Sequence, residues 1–502
     1  MKNFLRKYPL YLILLPVFFV LHGFLENFSF IGIKDAAILC LTYIFLTLNI
    51  ALFSYFFFRN VTKAALITTL WMVFFFFFGA VHEFLRENIS VRFFSRYGFL
   101  LPFMFLLLIL IFIYLKKVKK PFYGTSLFLN VLFLVYILID TTGVIIKALN
   151  PDESSGLSVY DFARNNKYSI CDTCSKPNIY LLLMDEYSSS LSLKERHDYN
   201  NDLDSFLIDK GFRIQAKSRS NYNFTPFSMS STLNMSFIEG IPNYRSITAD
   251  DYAFCNKLVR DNELIKFLDA HGYDIVNYSV FDLAGHPAMV QQMFLPLKTK
   301  LITDRTLFSR MYRDIGWLMM NWYPFKWFKK TNILMHRSNN QKFFDLVKEA
   351  AKEEKKKPQF VYAHFYMPHS PYYYDKDGNE KDNPTIYSEL HDRPITAYLD
   401  YVTYTNGRIR EMVNAIMQDD PSGIIVLLSD HGNRKNAKPP MPVHIFQNLN
   451  AVYYPDRNYS SLYDSITNVN MFRVILNKNF NQQFQLLKDT SIFLEDKRPV
   501  DH

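Results

Sequence analysis

Cysteine is scarce in this sequence, and its few cysteines do not form a metal-binding pattern. The chain has 4 cysteines in 502 residues, too few for a fold that disulfides hold together. Cys171 and Cys174 are spaced as a Cys-x-x-Cys pair, but a second such pair, which a zinc ribbon requires, is missing. We therefore predict either a local disulfide or two free thiols at this pair.

Most of the chain carries no excess of basic charge. The 56 Lys and Arg against 47 Asp and Glu give a net charge of +9, and residues 1–150 alone hold 14 basic and 5 acidic side chains. The remaining residues hold 42 of each sign. A basic protein often binds nucleic acid, but here the excess lies wholly within an apolar region. We therefore predict no nucleic-acid partner and attribute the charge to membrane topology.

Long apolar runs are absent after residue 147 and frequent before it. Each of these runs approaches or exceeds the ~18–20 residues that cross a bilayer. The predicted spans are 9–27, 36–58, 64–85, 99–115 and 121–146. The first has no small-residue cleavage site and four runs follow it, so we predict a retained span and not a signal peptide. We expect a transmembrane region over 1–147, a linker over 148–176 and a soluble domain over 177–502.

The loops between the predicted spans set the orientation. With a cytoplasmic N-terminus, the inside segments carry nine basic residues and the outside loops carry four, which satisfies the positive-inside rule. Five spans then place everything after Lys147 outside the cytoplasm. The prediction is an integral, multi-pass protein of the inner (cytoplasmic) membrane with an extracytoplasmic domain. We interpret His22, His82 and Asp140, near span ends, as water-facing side chains and not as a transport site.

Short apolar runs alternate with helical patterns in the soluble part. Four runs are almost continuously apolar, as strands buried on both faces are. They are Asn178–Met184, Tyr273–Val280, Phe360–Phe365 and Gly423–Leu428. The helix candidates are 199–210, 259–271, 340–355 and 396–418. This alternation predicts an α/β domain with a doubly wound, mostly parallel sheet.

Side chains suited to metal binding occur where three of these runs end. They are Asp185, Glu186, His364, His369, Asp430 and His431. Because ligands bind beyond the carboxyl ends of parallel strands, we expect these side chains to meet at one edge of the sheet. Carboxylates and neutral imidazoles are ligands for divalent metals. A single Asp after a strand is often only a helix cap, but three such strand ends favour a metal site.

A hydroxyl group completes the predicted site. Thr225 precedes Pro226, and this pair is typical of a helix N-cap followed by proline at the first helical position. A helix N-terminus also favours anions, because its backbone N–H groups and dipole point there. A threonine hydroxyl on a dication loses its proton more readily and becomes a nucleophile. Thr225 is therefore either a cap alone or a nucleophile as well.

Taken in order, these motifs resemble the alkaline phosphatase superfamily. The order is Asp after a strand, Thr at a helix start, His-x-x-x-Pro-His-x-Pro-Tyr and Ser-Asp-His-Gly. The chain is most similar to the membrane-anchored sulfatase-like branch, with its phosphoethanolamine and phosphoglycerol transferases and lipoteichoic acid synthases. That branch also places five spans before an extracytoplasmic catalytic domain. The resemblance covers about residues 176–480 and includes the segments 218–235 and 448–455.

The resemblance implies one divalent metal ion (Zn, Mn, Mg or Ca) and a covalent ester on a threonine. The implied metal ligands are Asp185, Thr225, Asp430 and His431. Glu186 remains an alternative to Asp185 as the carboxylate ligand. His369 and His364 would hold substrate oxygens or protonate the leaving group. Arg434 and His444 would bind substrate.

Two hypotheses about function follow. The first is a membrane-anchored transferase or hydrolase of phosphate or sulfate esters, with a membrane lipid or lipid-linked donor and an envelope glycan or lipid acceptor. The nucleophile segment Thr-Pro-Phe-Ser differs from the Cys/Ser-x-Pro-x-Arg motif that sulfatases convert to formylglycine, which favours head-group transfer over sulfate-ester hydrolysis. The second is a non-catalytic envelope sensor or scaffold, against which the complete Asp, Thr, Asp and His set argues.

Overall fold

The chain divides into two compact units in a computed structural model. The residues described are 2–28, 31–89, 91–149, 169–171, 173–239, 241, 243–247, 249–290, 299–311, 326–353, 356–435 and 443–496. The helical unit comprises Met1–Gly156 and Phe294–Trp322, and the sheet unit comprises Leu157–Met293 and Tyr323–His502. Most of the predicted linker 148–176 lies outside the described residues.

The helical unit is built from apolar helices. They are α1 (Lys2–Lys7), α2 (Tyr11–Glu26), α3 (Ile33–Phe58), α4 (Val61–Asn88), α5 (Tyr97–Lys117) and α6 (Tyr123–Leu149), with a 3₁₀ turn at Arg92–Ser95 and a helical turn at Lys300–Thr303. Within the described part of the chain, α3 to α6 are long and apolar enough to cross a membrane. Helix α2 has 16 residues, fewer than the ~20 of a typical span. Four of the five predicted spans therefore have spanning length, and the first predicted span, 9–27, is a shorter helix.

A buried side-chain amide stabilises the short interruption between helices α1 and α2. Asn130, on α6, accepts a hydrogen bond from Tyr11 N at 2.7 Å. Its Nδ2 donates to Leu5 O at 2.7 Å and to Tyr8 O at 2.8 Å. Backbone groups at helix ends have no partner within their own helix, and leaving them unpaired in an apolar environment is costly. Asn130 thus stabilises the junction between α1 and α2.

A six-stranded sheet organises the sheet unit. The strands are β1 (Ile179–Met184), β2 (Arg213–Ile214), β3 (Asp274–Tyr278), β4 (Gln359–Phe365), β5 (Ile424–Leu428) and β6 (Asn450–Tyr453). Their order is β2-β6-β5-β1-β4-β3. The strands β5, β1, β4 and β3 are mutually parallel, β6 pairs antiparallel with β5, and β2 pairs antiparallel with β6. Every residue of β1, β4 and β5 is buried. The predicted α/β domain with a mostly parallel sheet is confirmed.

Helices cover both faces of this sheet. They are α7 (Ser190–His197), α8 (Leu203–Asp209), α9 (Thr225–Asn234), α10 (Ala249–Arg260), α11 (Glu263–Ala270), α12 (Lys326–Lys352), α13 (Asn383–Asp392), α14 (Ile395–Asp419) and α15 (Asn468–Asn479). Leu182 of β1 shares a core with Phe344 of α12 and Tyr401 of α14. On the opposite face, Phe360 of β4 meets Phe472 of α15 at 6.2 Å between ring centres. This double cover explains why the central strands are apolar throughout.

Cys171 and Cys174 form a disulfide. This pairing is one of the two alternatives that the sequence left open. Cys40 and Cys255 are free.

Candidate metal centre and active site

Two carboxylates and an imidazole lie together at the carboxyl edge of the parallel strands. Asp185 directly follows β1, while Asp430 and His431 follow β5 after one intervening residue. Because β1 and β5 are parallel neighbours, their carboxyl ends coincide. Ligand atoms of Asp185, Asp430 and His431 all lie within 4.8 Å of one another, and all three residues are buried.

Several polar atoms of this cluster lack the partners that buried atoms normally have. Asp185 Oδ1 and Asp430 Oδ2 are buried without a hydrogen-bond partner. His431 Nδ1 lies 2.9 Å from Gly432 O, and since a carbonyl only accepts, Nδ1 carries the proton and Nε2 presents a lone pair. That lone pair lies 3.1 Å from Asp430 Oδ2. Electron-rich atoms at this distance repel unless a cation joins them, so the donor set fits a divalent metal.

Burial and mutual charge shift the protonation of the same residues. Burial and then the charge of Asp430 raise the pKa of Asp185 well above its ordinary value of 3.8. Burial, reinforced by the charge of Arg434, lowers the pKa of His431 to about 3. The imidazole is therefore neutral and available as a ligand, and the paired carboxylates need a cation to stay ionised together.

Thr225 faces this cluster from the first turn of α9. Its Oγ1 lies 3.4 Å from His431 Nε2, and the residue is 6% exposed. The N-cap of α9 is Phe224, which has an extended backbone and makes no side-chain cap hydrogen bond, and Pro226 lies in the first turn. The interpretation of Thr225 as a cap alone is therefore wrong. Its hydroxyl is directed at the candidate metal ligands.

Glu186 takes different partners from Asp185. Its backbone is left-handed, with φ of 62°, and its amide donates to Asp430 Oδ1 at 3.0 Å. Its Oε1 accepts from Arg434 N at 2.9 Å, and its Oε2 lies 3.4 Å from His369 Nε2. Burial opposes ionisation, but the charge of Arg434 holds the pKa of Glu186 below its ordinary 4.5. The structure thus groups Asp185 with metal-type ligands and Glu186 with basic side chains.

His369 and Arg434 lie side by side near the threonine. Arg434 Nη2 donates to His369 Nε2 at 3.1 Å, and its guanidinium carbon lies 5.3 Å from the centre of the Phe224 ring. His369 Nδ1 donates to Ser370 O at 2.5 Å. Burial and the nearby guanidinium charges hold the pKa of His369 well below 6.5, so the imidazole is neutral. A fixed guanidinium beside a neutral imidazole suits the oxygens of an anionic ester.

His364 lies beneath the cluster. It is 1% exposed, and its Nε2 lies 3.3 Å from Asp185 Oδ2. Tyr362 Oη lies 3.3 Å from His364 Nδ1. Burial lowers the pKa of His364 to about 4, so the neutral ring donates from Nε2 to the carboxylate. This geometry orients the Asp185 carboxylate and does not present His364 to a substrate.

His444 lies apart from the three-residue group. It occupies the turn Val443–Ile445, and its Nε2 is buried without a hydrogen-bond partner. Burial, reinforced by Arg196, lowers the pKa of His444 to about 4. It does not belong to the described group of ligand atoms within 4.8 Å. Its substrate-binding role stays a prediction.

Arg393 is a basic residue near the site that the sequence did not indicate. It follows α13 in a left-handed conformation, and its charge lowers the pKa values of Glu186 and His369. No strand precedes it, so the pattern of strand ends carried no signal for it. Its position depends on how the connection between α13 and α14 folds back toward the site.

A family model described as Sulfatase matches residues 166–485 of this chain. The match spans more than half of the sequence and contains every candidate site residue named above. Among curated proteins, none matches the chain.

Several solved structures are similar to this chain at a low level. The integral membrane lipooligosaccharide phosphoethanolamine transferase A (EptA) from Neisseria meningitidis is 13% identical, with 97% of this chain and 96% of that chain covered and a TM-score of 0.38. The C-terminal periplasmic domain of EptC from Escherichia coli, in complex with Zn, is 12% identical, with coverages of 62% and 85% and a TM-score of 0.38. The same domain of phosphoethanolamine transferase EptC from Campylobacter jejuni is 14% identical, with coverages of 62% and 92% and a TM-score of 0.36. Similarity at this level establishes neither an activity nor a substrate.

Proposed function

This chain belongs to the sulfatase family, and from that premise we propose a membrane-anchored, metal-dependent enzyme that uses Thr225 to transfer a phosphate-ester head group. One observation carries the proposal: three ligand-type atoms lie within 4.8 Å of one another, with the Thr225 hydroxyl 3.4 Å from one of them. We place the reaction at the outer face of the cytoplasmic membrane, on the charge asymmetry of the loops.

Asp185, Asp430, His431 and Thr225 would hold a divalent metal. A bound dication would lower the pKa of the threonine hydroxyl and neutralise charge on the ester oxygens. Carboxylate and imidazole donors are compatible with Zn, Mn, Mg or Ca. His364 would orient Asp185 through its 3.3 Å contact, as partners of metal ligands commonly do.

The first half of the reaction forms an ester on the protein. The Thr225 hydroxyl gives up its proton as its oxygen attacks phosphorus, the bond from phosphorus to the leaving alkoxide breaks, and that proton ends on the alkoxide. Arg434 would bind the non-bridging oxygens, where negative charge develops, and His369, whose Nε2 presents a lone pair, would carry the proton to the leaving group. The helix N-terminus at Thr225 adds a favourable dipole.

The second half returns the threonine to its starting state. An acceptor hydroxyl attacks phosphorus, the bond from phosphorus to the Thr225 oxygen breaks, and that oxygen recovers a proton. With a glycan or lipid hydroxyl the outcome is transfer, and with water it is hydrolysis. We favour transfer, because a membrane anchor raises the effective concentration of a lipid-linked donor and acceptor.

A sulfate-ester hydrolase is the second candidate. The family match favours it, whereas Thr225 in place of a formylglycine precursor argues against the hydrate mechanism. A non-catalytic sensor would not need a reactive hydroxyl beside unpartnered carboxylate oxygens.

The decisive experiment compares threonine variants of the full-length protein. Thr225→Ala should lower turnover of p-nitrophenyl phosphate by roughly 10³-fold or more, since removing a nucleophile removes the covalent route. Thr225→Ser should keep measurable activity. Thr232→Ala is the matched control, because Thr232 lies on the same helix and its hydroxyl donates to Ser228 O, a backbone group of that helix.

The covalent ester gives an independent measurement. Mass spectrometry of protein quenched during turnover should find one phosphate-containing group on the peptide that carries Thr225. Full activity of the alanine variant would overturn the mechanism. Turnover of p-nitrophenyl sulfate alone would favour the sulfate-ester hydrolase.

A further inference from the structure

One short segment from the middle of the sulfatase-matched region is built into the helical unit. Residues 299–311 lie between β3 and α12 in sequence, inside the matched range 166–485. They belong to the unit formed by the apolar helices. We call residues 299–311 the strap. Its contacts with α2, α4 and α5 indicate a specific seat and not a loose connection.

Two glycines on different apolar helices make room for the strap. A Cβ at Gly23 of α2 would lie 2.8 Å from Ile302 Cγ2, and a Cβ at Gly79 of α4 would lie 2.6 Å from Arg305 O. The Gly79 N–H also donates to Arg305 O at 2.8 Å. Glycine weakens a helix interior, so its presence at both contact points needs a packing reason. The close approach of the strap supplies that reason.

The strap packs against two apolar clusters of the helical unit. Ile302 is 5% exposed and belongs to the core that contains Phe19 and Phe76. Leu307 packs against a second cluster, which includes Phe78 and Leu100. The strap therefore fills space in two cores of the helical unit.

Charge pairing reinforces this seat. Glu83, near the end of α4, forms an ion pair with Arg310, which is 1% exposed. Glu83 Oε2 also lies 3.5 Å from Arg305 Nε. A buried arginine is stable only with an anionic partner, and truncating either member leaves an uncompensated charge. The acidic residue at this span end thus matches two basic residues of the strap.

We propose that the strap is an anchor within the catalytic part of the chain, and that its packing in the helical unit raises the turnover of esters held in the membrane. The chain of the sheet unit enters the helical unit through this segment in addition to the direct connection near residue 157. A second connection of the chain to the membrane-spanning helices raises the effective concentration of the catalytic domain toward membrane-held substrate. The second part of this proposal rests on the proposed function.

Disulfide trapping tests the seat of the strap without reference to activity. A Cβ at Gly23 would lie 3.2 Å from Ile302 Cβ, close to the ~3.5–4.5 Å of a disulfide. In full-length protein with Cys40→Ala and Cys255→Ala, G23C/I302C should cross-link on mild oxidation, as mass spectrometry of the joined peptides would show. The control pair is G98C/I302C, because a Cβ at Gly98 has nothing within 4 Å. Equal yields from both pairs would overturn the strap.

Activity on two kinds of substrate tests the consequence. Gly79→Ala should lower diacylglycerol release from vesicles of phosphatidylglycerol and phosphatidylethanolamine by about tenfold, with turnover of p-nitrophenyl phosphate changed less than about twofold. Gly98→Ala should change neither. If Gly79→Ala does not fold, Glu83→Gln replaces it, with the same expectation.

The outcomes separate the two proposals. Equal loss on both substrates, or no loss on vesicles, overturns the anchoring role. Wild-type protein that turns over neither substrate, but still forms the G23C/I302C cross-link, overturns the proposed function and leaves the seat of the strap in place.

Discussion

The helical and sheet units use apolar side chains in opposite ways. In the sheet unit, every residue of β1 and β5 is buried, because removing apolar surface from the surrounding water lowers the free energy. In the helical unit, large apolar residues point outward, with Leu41 66% and Phe45 71% exposed. Lipid tails are as apolar as leucine, so outward exposure costs little in a membrane. The two surfaces therefore indicate two solvents.

Two sets of polar side chains, one from each unit, also differ. In the helical unit, Asn130 bonds to three backbone groups and Lys147 Nζ donates to Leu25 O at 2.8 Å. In the sheet unit, Asp185 Oδ1 and Asp430 Oδ2 lack partners at a single point. Polar side chains of the first kind complete a fold. The two carboxylate oxygens of the second kind lie together among ligand-type groups, and so mark a place that a ligand would complete.

The largest expected effect compares two buried carboxylates, one from each unit. Asp430 and Asp140 each have a buried Oδ2 without a hydrogen-bond partner, but Asp140 Oδ1 contacts His22 at 3.3 Å and no metal-type group. Asp430→Asn should lower ester turnover by roughly 10³-fold, since several kcal/mol of charge stabilisation are lost. Asp140→Asn should change it less than about twofold. Similar losses in both would mean that the proposed division of roles is wrong.

Metal removal should affect one unit only. At a metal concentration ~1,000 times its dissociation constant, binding stabilises the folded state by about 4 kcal/mol. Dialysis against a chelator should therefore lower the unfolding temperature of the sheet unit and abolish turnover, and a divalent metal should restore both. Heating in detergent with and without the chelator, followed by far-UV circular dichroism, distinguishes a metal-dependent transition from a metal-independent one. A chelator that leaves both transitions unchanged would contradict the metal site.

A leucine-to-alanine substitution should lower the free energy of unfolding by different amounts in the two units. Leu182→Ala opens a cavity at a fully buried position of β1 and should destabilise the sheet unit by about 2–5 kcal/mol. Leu41→Ala, on the exposed face of α3, should cost under about 1 kcal/mol in a bilayer or detergent, because the site faces hydrocarbon before and after. Denaturant unfolding in detergent measures both. Equal costs would mean that the outward face of α3 is packed against protein.

The smallest expected effect is the pH dependence of the sheet unit. The pKa of His364 is lowered from 6.5 to about 4 in the folded state, so the unfolded chain binds protons first as the pH falls. The contribution of His364 to stability should therefore fall from about pH 6.5 to about pH 4, by at most about 1.4 kcal/mol per pH unit, whereas Asp185, with its raised pKa, contributes with the opposite sign. His364→Gln should reduce the slope without removing it, because the pKa of His431 is lowered too. An unchanged slope in urea titrations at several pH values would contradict this assignment.

The main elements of the fold followed from local sequence patterns. The runs Asn178–Met184 and Gly423–Leu428 became β1 and β5 within one residue, because continuous apolar stretches of this length fit buried parallel strands. The strand β6 was not predicted, since it has only four residues and pairs antiparallel with β5. Helix α12 begins at Lys326, well before the predicted start at 340.

The candidate site was predictable where a residue's position along a strand determines its place. Asp185 and Asp430 follow strands, and parallel strands end at one edge. The role of Glu186 was not predictable, because it depends on a left-handed backbone that turns the carboxylate toward Arg434. Nor did the sequence indicate that His364 points at Asp185 and not at a substrate.

By itself, the sequence determined which segments face lipid, which strands are buried and which residues stand at the strand ends. These properties are local, because hydrophobic runs and their lengths report the surroundings of each residue. Only the tertiary structure decided that Thr225 meets His431, 206 residues away, and that Gly79 admits Arg305. Such contacts depend on how helices and strands pack together and on where side chains point, and local sequence patterns do not predict either.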